Sequence, residues 1–78
     1  MRNYFPAIQN PDGELVSLSD GTTLMTEAQD NAMYAMAVAH LDGVPLRQGA
    51  ELVVVRVSDT KVVRKYNRAL HRWEVVSE

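Results

Sequence analysis

The residues of this 78-residue chain with the clearest chemical potential form one basic and aromatic segment in its last third. Residues 64–73 interleave cationic side chains with Tyr66 and Trp73. Cations neutralise phosphates and aromatic rings stack on bases, a combination typical of nucleic-acid binding. Arginine, tyrosine and tryptophan are also enriched where one protein binds another. The segment therefore predicts a surface for nucleic acid or for an acidic protein, with the candidate residues Arg56, Arg64, Lys65, Tyr66, Arg68 and Arg72.

The charge balance favours a protein partner over nucleic acid. The formal net charge is −2 and the pI is about 5.6, whereas nucleic-acid-binding domains are usually strongly basic. Residues 1–51 hold two basic and seven acidic side chains, and residues 52–78 hold six basic and three acidic ones. Such a bipolar chain can associate head to tail or present one sign of charge to a partner. Protein binding is our first hypothesis, and nucleic-acid binding through residues 56–73 is the alternative.

Side chains that could support catalysis or metal binding occur singly. The chain has two histidines, His40 and His71, and no cysteine, whereas a zinc site needs three or four ligands. No serine lies in a Gly-x-Ser-x-Gly turn, and the four glycines are too dispersed for a phosphate-binding loop. We therefore expect a protein that is not an enzyme and that has no metal and no cofactor.

One helix, over about residues 26–42, is the clearest element that could position a binding surface. Thr26 followed by Gln29 fits a capping box at the start of the helix. Gly43 and Pro45 are typical of residues that follow a helix end. Within this span, residues 32–39 are eight consecutive apolar or aromatic residues. A helix that lies on one sheet needs only a single apolar stripe, so this helix has an apolar surplus.

The surplus lies on the back of the helix, opposite the face predicted to contact the core. A small domain has too little mass to bury a helix on every side. Without cysteine it also lacks a disulfide to stabilise it, which leaves oligomerisation. We therefore expect a partner protein or a second copy to cover the back, the second copy forming a homodimer; the alternative is that residues 44–50 fold over it with Leu46 as a plug. The predicted interface residues are Met33, Tyr34, Ala37, Val38 and Leu41.

Strands are expected on both sides of this helix. Residues 2–8 and 14–19 predict a hairpin around the turn Asn10–Gly13. Pro6 cannot donate to a strand ladder, so it predicts an edge strand or a bulge. Residues 51–57 carry apolar side chains in both alternating sets, which is typical of a central strand.

The last segment, residues 59–73, fits either a second helix or a hairpin. Its β-forming residues flank a polar turn at residues 67–68, which favours the hairpin. The expected fold is therefore α+β: a single domain over residues 1–78, with an antiparallel sheet of four or five strands in ββαβββ order and one helix packed on one face. The predicted core comprises Phe5, Ile8, Val16, Leu18, Met25, Ala28, Ala32, Ala35, Met36, Ala39, Val53, Val55, Val57 and Trp73.

In size, acidity, absence of cysteine and hairpin–helix–strand order, the chain resembles the small proteins with which phages and mobile elements inhibit host machinery, anti-CRISPR proteins among them. The resemblance implies a single α+β domain that acts by binding a host protein. It supplies no site residues. The longest apolar run is eight residues, far short of the roughly 20 that span a bilayer. We therefore expect a soluble, cytoplasmic protein.

Overall fold

A computed structural model of the chain describes residues 2–41 and 48–77, without the side chains of residues 40 and 41. One antiparallel sheet of five strands carries one helix, which confirms the predicted α+β fold and its ββαβββ order. Across the sheet the strands lie in the order β2-β1-β3-β4-β5. The elements along the chain are β1 (Tyr4–Gln9), β2 (Leu15–Ser17), α1 (Met25–Leu41), β3 (Glu51–Arg56), β4 (Lys61–Asn67) and β5 (Arg72–Val75).

The turn between β1 and β2 forms where the sequence predicts it. The Gly13 N–H donates to the Asn10 carbonyl at 2.9 Å, which closes a four-residue turn. The carboxylate of Asp12 accepts the N–H of Glu14 at 2.9 Å, an interaction that short acidic side chains commonly make in turns. Gly13 has a φ of 93°, a conformation that glycine adopts without steric cost.

Pro6 lies in the interior of the sheet, because β1 is flanked by β2 and β3. The edge-strand alternative is therefore wrong. The Pro6 carbonyl accepts the N–H of Leu18 at 2.9 Å, so the nitrogen that lacks a hydrogen also faces the β2 side. Strand β2 ends at Ser17, and pairing with β1 resumes as an isolated bridge between Thr22 and Tyr4. The missing donor thus coincides with an interruption of the neighbouring strand.

Helix α1 begins one residue earlier than predicted. The Ala28 N–H donates to the Leu24 carbonyl at 3.2 Å, which places Leu24 at the N-cap position. Thr26 lies inside the first turn, so the predicted capping box is wrong. The predicted end signals at Gly43 and Pro45, and the alternative plug Leu46, lie outside the described residues.

The core occupies both faces of the sheet. On the helix side, Ala28 packs with Val54 and Val63, and the small alanine side chain lets α1 approach the strands closely. On the opposite face, Val53 and Val55 form a second cluster with Ala7. Strand β3 is therefore buried on both sides, as expected of a central strand. Some residues are fully buried although the sequence pattern does not predict them in the core: Pro6, Ala7, Leu52, Val54 and Val63.

Two residues of the predicted core are exposed. Val16 and Val57 each leave 43% of their surface accessible. Val16 belongs to the short edge strand β2. Val57 continues the alternation of β3 in sequence, but the strand ends at Arg56 and residue 57 already lies in the following turn. The prediction that these two side chains are buried is therefore wrong.

The last segment is a hairpin, so the second-helix alternative is wrong. Strands β4 and β5 pair with Tyr66 opposite Trp73, and residues 68–71 form the turn. The Asn67 side chain accepts the N–H of Leu70 at 3.1 Å within this turn. A register shift against β3 leaves Val63 between the pairs Val54–Arg64 and Val55–Val62. The extra residue packs into the helix-side core.

Candidate functional site

The back of α1 is accessible in the structure. Tyr34 leaves 73% of its surface exposed, an unusual value for a large aromatic residue in the middle of a helix. Val38, at 38%, lies one turn further on the same side, because residues four apart are neighbours on a helix surface. Met33, at 36%, and Ala37 are also exposed, in a second row beside the first. Leu41 belongs to α1, and its side chain lies outside the description.

The row formed by Tyr34 and Val38 borders an open groove with a volume of about 550 Å³. We call it the helix groove. It runs between α1 and the segment that follows β2. Apolar groups dominate its walls, and Ser19 and Asn31 are the polar residues that line it. The lining residues are Leu18, Ser19, Asn31, Tyr34, Ala35, Val38 and Ala39.

Two acidic residues are close in sequence to residues that line the helix groove. Glu27 lies one turn before Asn31 on the same side of α1, and Asp20 follows Ser19 directly in the chain. Both acidic residues are exposed. The α1 sequence contains no lysine or arginine. An apolar groove with carboxylates close to its lining residues in sequence suits an apolar side chain that has a cation beside it.

The basic segment presents fewer free cations than its sequence suggests. Arg56 donates to both carboxylate oxygens of Asp59, at 3.1 Å from Nε and 2.6 Å from a terminal nitrogen. These hydrogen bonds hold the pKa of the Asp59 carboxyl below its ordinary value and raise the pKa of Arg56. Lys65 Nζ lies 2.7 Å from Glu51 Oε2. Each of these two cations is thus partly neutralised within the chain.

Arg64 also has partners within the chain. One terminal nitrogen of its guanidinium donates to the Val63 carbonyl at 2.8 Å and to the Ser77 carbonyl at 3.0 Å. These bonds attach the segment after β5 to β4. The arrangement gives Arg64 a structural role that a sequence pattern could not indicate, because it depends on two carbonyls brought together by the hairpin.

The six predicted residues of the basic segment do not lie on one face. Tyr66 is directly opposite Trp73, which packs on the helix side of the sheet, while Lys65 reaches Glu51 on the other side. This matches the alternation expected for a hairpin. Arg68 is exposed in the β4–β5 turn, and Arg72 is exposed on β5. The structure therefore divides these side chains between two faces and a turn.

Metal-binding residues are not clustered in the part of the chain that the structure describes. No three histidine, aspartate or glutamate side chains there lie close enough to hold a metal ion. His71 is exposed in the β4–β5 turn with a φ of 53°. Within the same residues, no helix has the length and apolar character needed to cross a membrane.

Helix α1 and the segment after β2 thus build the helix groove, and its sequence-predicted members are Tyr34 and Val38. Leu18, Ala35 and Ala39, which are predicted for the core, are half-buried and also line this groove. Comparison with protein-family models, curated proteins and solved structures gives no match to this chain.

Proposed function

We propose that this chain is a non-catalytic protein interaction module that binds another protein in the helix groove. The observation that carries the proposal is the exposure of Tyr34 at the border of an apolar groove. Burial of a tyrosine contributes large apolar contact area together with a hydroxyl for hydrogen bonding, which is why tyrosine is frequent at binding hot spots. A contiguous apolar patch on a small protein commonly marks such a binding surface.

Acidic residues that are close in sequence to the lining of the helix groove suggest the chemistry of the partner. Glu27 and Asp20 are exposed, and α1 has no lysine or arginine, although the Arg2 side chain lies beside Gly21. We therefore propose a partner that inserts one apolar side chain into the groove and places lysine or arginine beside these carboxylates. Opposite charges at the rim accelerate association and suppress wrong partners more than they raise affinity. Binding should therefore be faster at low salt.

The role we propose for this binding is inhibition of a larger cytoplasmic protein, as in the small phage inhibitors that the chain resembles. A homodimer formed through the same groove is the competing occupant. Nucleic-acid binding through residues 56–73 has less support, because Arg56, Arg64 and Lys65 each have a partner within the chain. Retention on nucleic acid that falls steeply with added salt would favour that alternative.

Val38→Glu tests the proposal, with Met33→Glu as its matched control. The two side chains have nearly equal exposure, 38% and 36%, so glutamate should cost similar folding free energy at each. They lie about 140° apart around the helix at roughly 3.6 residues per turn, and only Val38 lines the helix groove. Circular dichroism and thermal unfolding establish that both variants remain folded.

Immobilised wild type and the two variants are then compared as baits in a host lysate, with bound proteins identified by mass spectrometry. We expect a protein that wild type and Met33→Glu retain and Val38→Glu loses. Equal retention by all three baits would contradict the proposal. Unfolding of Val38→Glu alone would also contradict it, because this side of α1 would then be core. A mass near twice 8.7 kDa for wild type, lost only in Val38→Glu, would assign the groove to a second copy.

A further inference from the structure

We propose a second interaction surface, independent of the helix groove: the free edge of β5 joins two copies of this chain into an antiparallel dimer with one continuous sheet. Strand β5 is the last strand in the sheet order, and within residues 2–41 and 48–77 its one strand neighbour is β4. An exposed edge presents unpaired N–H and C=O groups, a ready template for another strand. The residues that carry the inference are Arg72, Trp73, Glu74 and Val75.

The backbone of β5 shows which groups are free for pairing. The Val76 N–H donates to the Val63 carbonyl at 3.0 Å, directly beyond the end of the strand. The N–H and C=O groups of successive residues point to opposite sides of a strand. Those of Arg72 and Glu74 therefore also point towards β4. The N–H and C=O groups of Trp73 and Val75 therefore point outward, away from β4. A second strand can bond only to these outward groups.

This geometry restricts how two β5 strands can pair about a two-fold axis. Outward residues must face outward residues, so within β5 the axis can pass through Arg72, Trp73, Glu74 or Val75. With the axis at Trp73, Arg72 of each copy lies opposite Glu74 of the other. These two positions are then the non-hydrogen-bonded pairs, in which side chains approach most closely. Opposite charges placed there attract each other across the dimer.

The neighbouring registers are unfavourable. Sliding one strand by two residues in one direction places Glu74 against Glu74, and sliding it in the other places Arg72 against Arg72. Like charges directly opposite each other are destabilising in an antiparallel pair. With the axis at Val75, Glu74 lies opposite Val76 and no pair of charged β5 residues forms. Within β5, the Trp73 register is therefore the one in which opposite charges meet. Charges on edge strands usually discourage strand addition, whereas here two copies satisfy each other's charges.

The surroundings of β5 fit this occupant. Val75 leaves 63% of its surface exposed beside the outward backbone groups, and a second copy would cover part of it. Both charged side chains are exposed. Glu74 Oε1 accepts a hydrogen bond from the Asn67 side chain at 3.1 Å, and this bond is also exposed. The opposite edge, β2, spans only residues 15–17 and has no charged residue to specify a register. These features favour β5 as the surface that binds a second copy, so the helix groove stays available for a different protein.

Two single charge reversals test the proposal by light scattering after size exclusion, over a wide concentration range at low salt. Wild type should rise from 8.7 kDa towards twice that mass. Arg72→Glu places two acidic residues on β5, and Glu74→Arg places two basic ones, so each variant alone should remain at 8.7 kDa. Arg68→Glu, the same charge change in the turn outside the strand, is the matched control and should dimerise like wild type.

Mixing the two reversed variants provides the decisive measurement. In a mixed dimer every charge again lies opposite its complement, so the mixture should regain the dimer mass, as should the double variant Arg72→Glu/Glu74→Arg. An unfolded variant could not be rescued in this way. The proposal is overturned if wild type remains at 8.7 kDa throughout, if the mixture stays monomeric, or if Arg68→Glu weakens the dimer equally. Loss of the dimer in Val38→Glu would also overturn it, because the second copy would then lie on α1.

Discussion

The ring of Tyr66 meets the ring of Trp73 edge to face, with centroids 5.3 Å apart and an interplanar angle of 61°. The two residues are direct partners across β4 and β5, and Trp73 also packs against the cluster of Ala28, Val54 and Val63. The aromatic pair thus ties the C-terminal hairpin to the helix side of the core. Their position opposite each other follows from a turn of four residues.

The aromatic pair should show a coupling of about 0.5–1.5 kcal/mol in the free energy of unfolding, the range for edge-to-face contacts. Urea unfolding of wild type, Tyr66→Leu, Trp73→Leu and the double variant gives this value as a double-mutant cycle. Leucine keeps apolar bulk and removes the ring contact. Additive single effects would show that the two rings contribute independently, which would contradict the prediction.

Gly21→Ala should destabilise the fold more than Gly13→Ala. Both glycines have a positive φ, 111° and 93°. An added Cβ on Gly21 would lie 2.8 Å from the Tyr4 carbonyl oxygen, whereas one on Gly13 would meet nothing within 4 Å. That oxygen accepts the Thr22 N–H at 2.7 Å, so it cannot move without weakening the bridge.

We therefore expect Gly13→Ala to lower the free energy of unfolding by about 1–2 kcal/mol through backbone strain alone, and Gly21→Ala to lower it further. Chemical denaturation of the two variants measures the difference. Equal losses would mean that the backbone at residue 21 shifts to accept the methyl group.

The fold was predictable where local chemistry and strand alternation agree. The turn at Asn10–Gly13 follows from the backbone preferences of proline, aspartate and glycine. Strand β3 follows from a run of apolar residues too short for a helix and apolar on both faces. The hairpin at β4–β5 follows from β-forming residues on either side of a polar turn. Each of these signals lies within a few residues of the element that it specifies.

The remaining features depend on contacts between distant segments. Alternation in sequence does not reveal where a strand leaves the sheet, which is why Val57 was assigned to the core. Ala7 is buried because β1 lies between two other strands, a position that its own sequence does not encode. The helix groove requires Leu18 to approach α1, a contact that the sequence does not reveal. The sequence pattern therefore predicts Tyr34 and Val38 on the back of α1 but places Ala35 and Ala39, which also line the groove, on its core face.

Val54→Ala should destabilise the fold more than Val57→Ala, although the sequence pattern predicts Val57 and not Val54 in the core. Val54 is fully buried on the helix side of the sheet, and Val57 is 43% exposed. Val54→Ala removes two buried methyl groups and should lower the free energy of unfolding by about 2 kcal/mol or more, because apolar burial is lost and a cavity is left behind. Val57→Ala should change the free energy of unfolding by about 0.5 kcal/mol or less. Urea unfolding of both variants makes the comparison, and similar losses would place Val57 in the core.

Helix α1 should tolerate a larger side chain at Ala37 but not at Ala28. Ala28 is fully buried between α1 and the sheet, where a leucine would force the helix away from Val54. Overpacking of this kind costs about 1–3 kcal/mol. Ala37 is exposed on the same helix, so Ala37→Leu should leave the free energy of unfolding nearly unchanged. Thermal unfolding of the two variants at low protein concentration tests this, and destabilisation by Ala37→Leu would show that the back of α1 is covered within the monomer.

The ion pair of Arg56 and Asp59 should give the β3–β4 turn a small stability that depends on pH. Hydrogen bonds from the guanidinium hold the pKa of Asp59 below its ordinary value in the folded chain. A carboxyl group whose pKa is lower in the folded chain than in the unfolded chain stabilises the fold. The stabilisation is fully present at pH values above the pKa of the unfolded chain, about 3.9, and is lost as the pH falls through the pKa of the folded chain. Asp59→Asn removes the titrating group and keeps a side chain of similar shape. Melting temperatures of wild type and Asp59→Asn should therefore differ most near neutral pH and converge as the pH falls below about 4, whereas a difference that stays constant as the pH falls would show that the pair is not linked to folding.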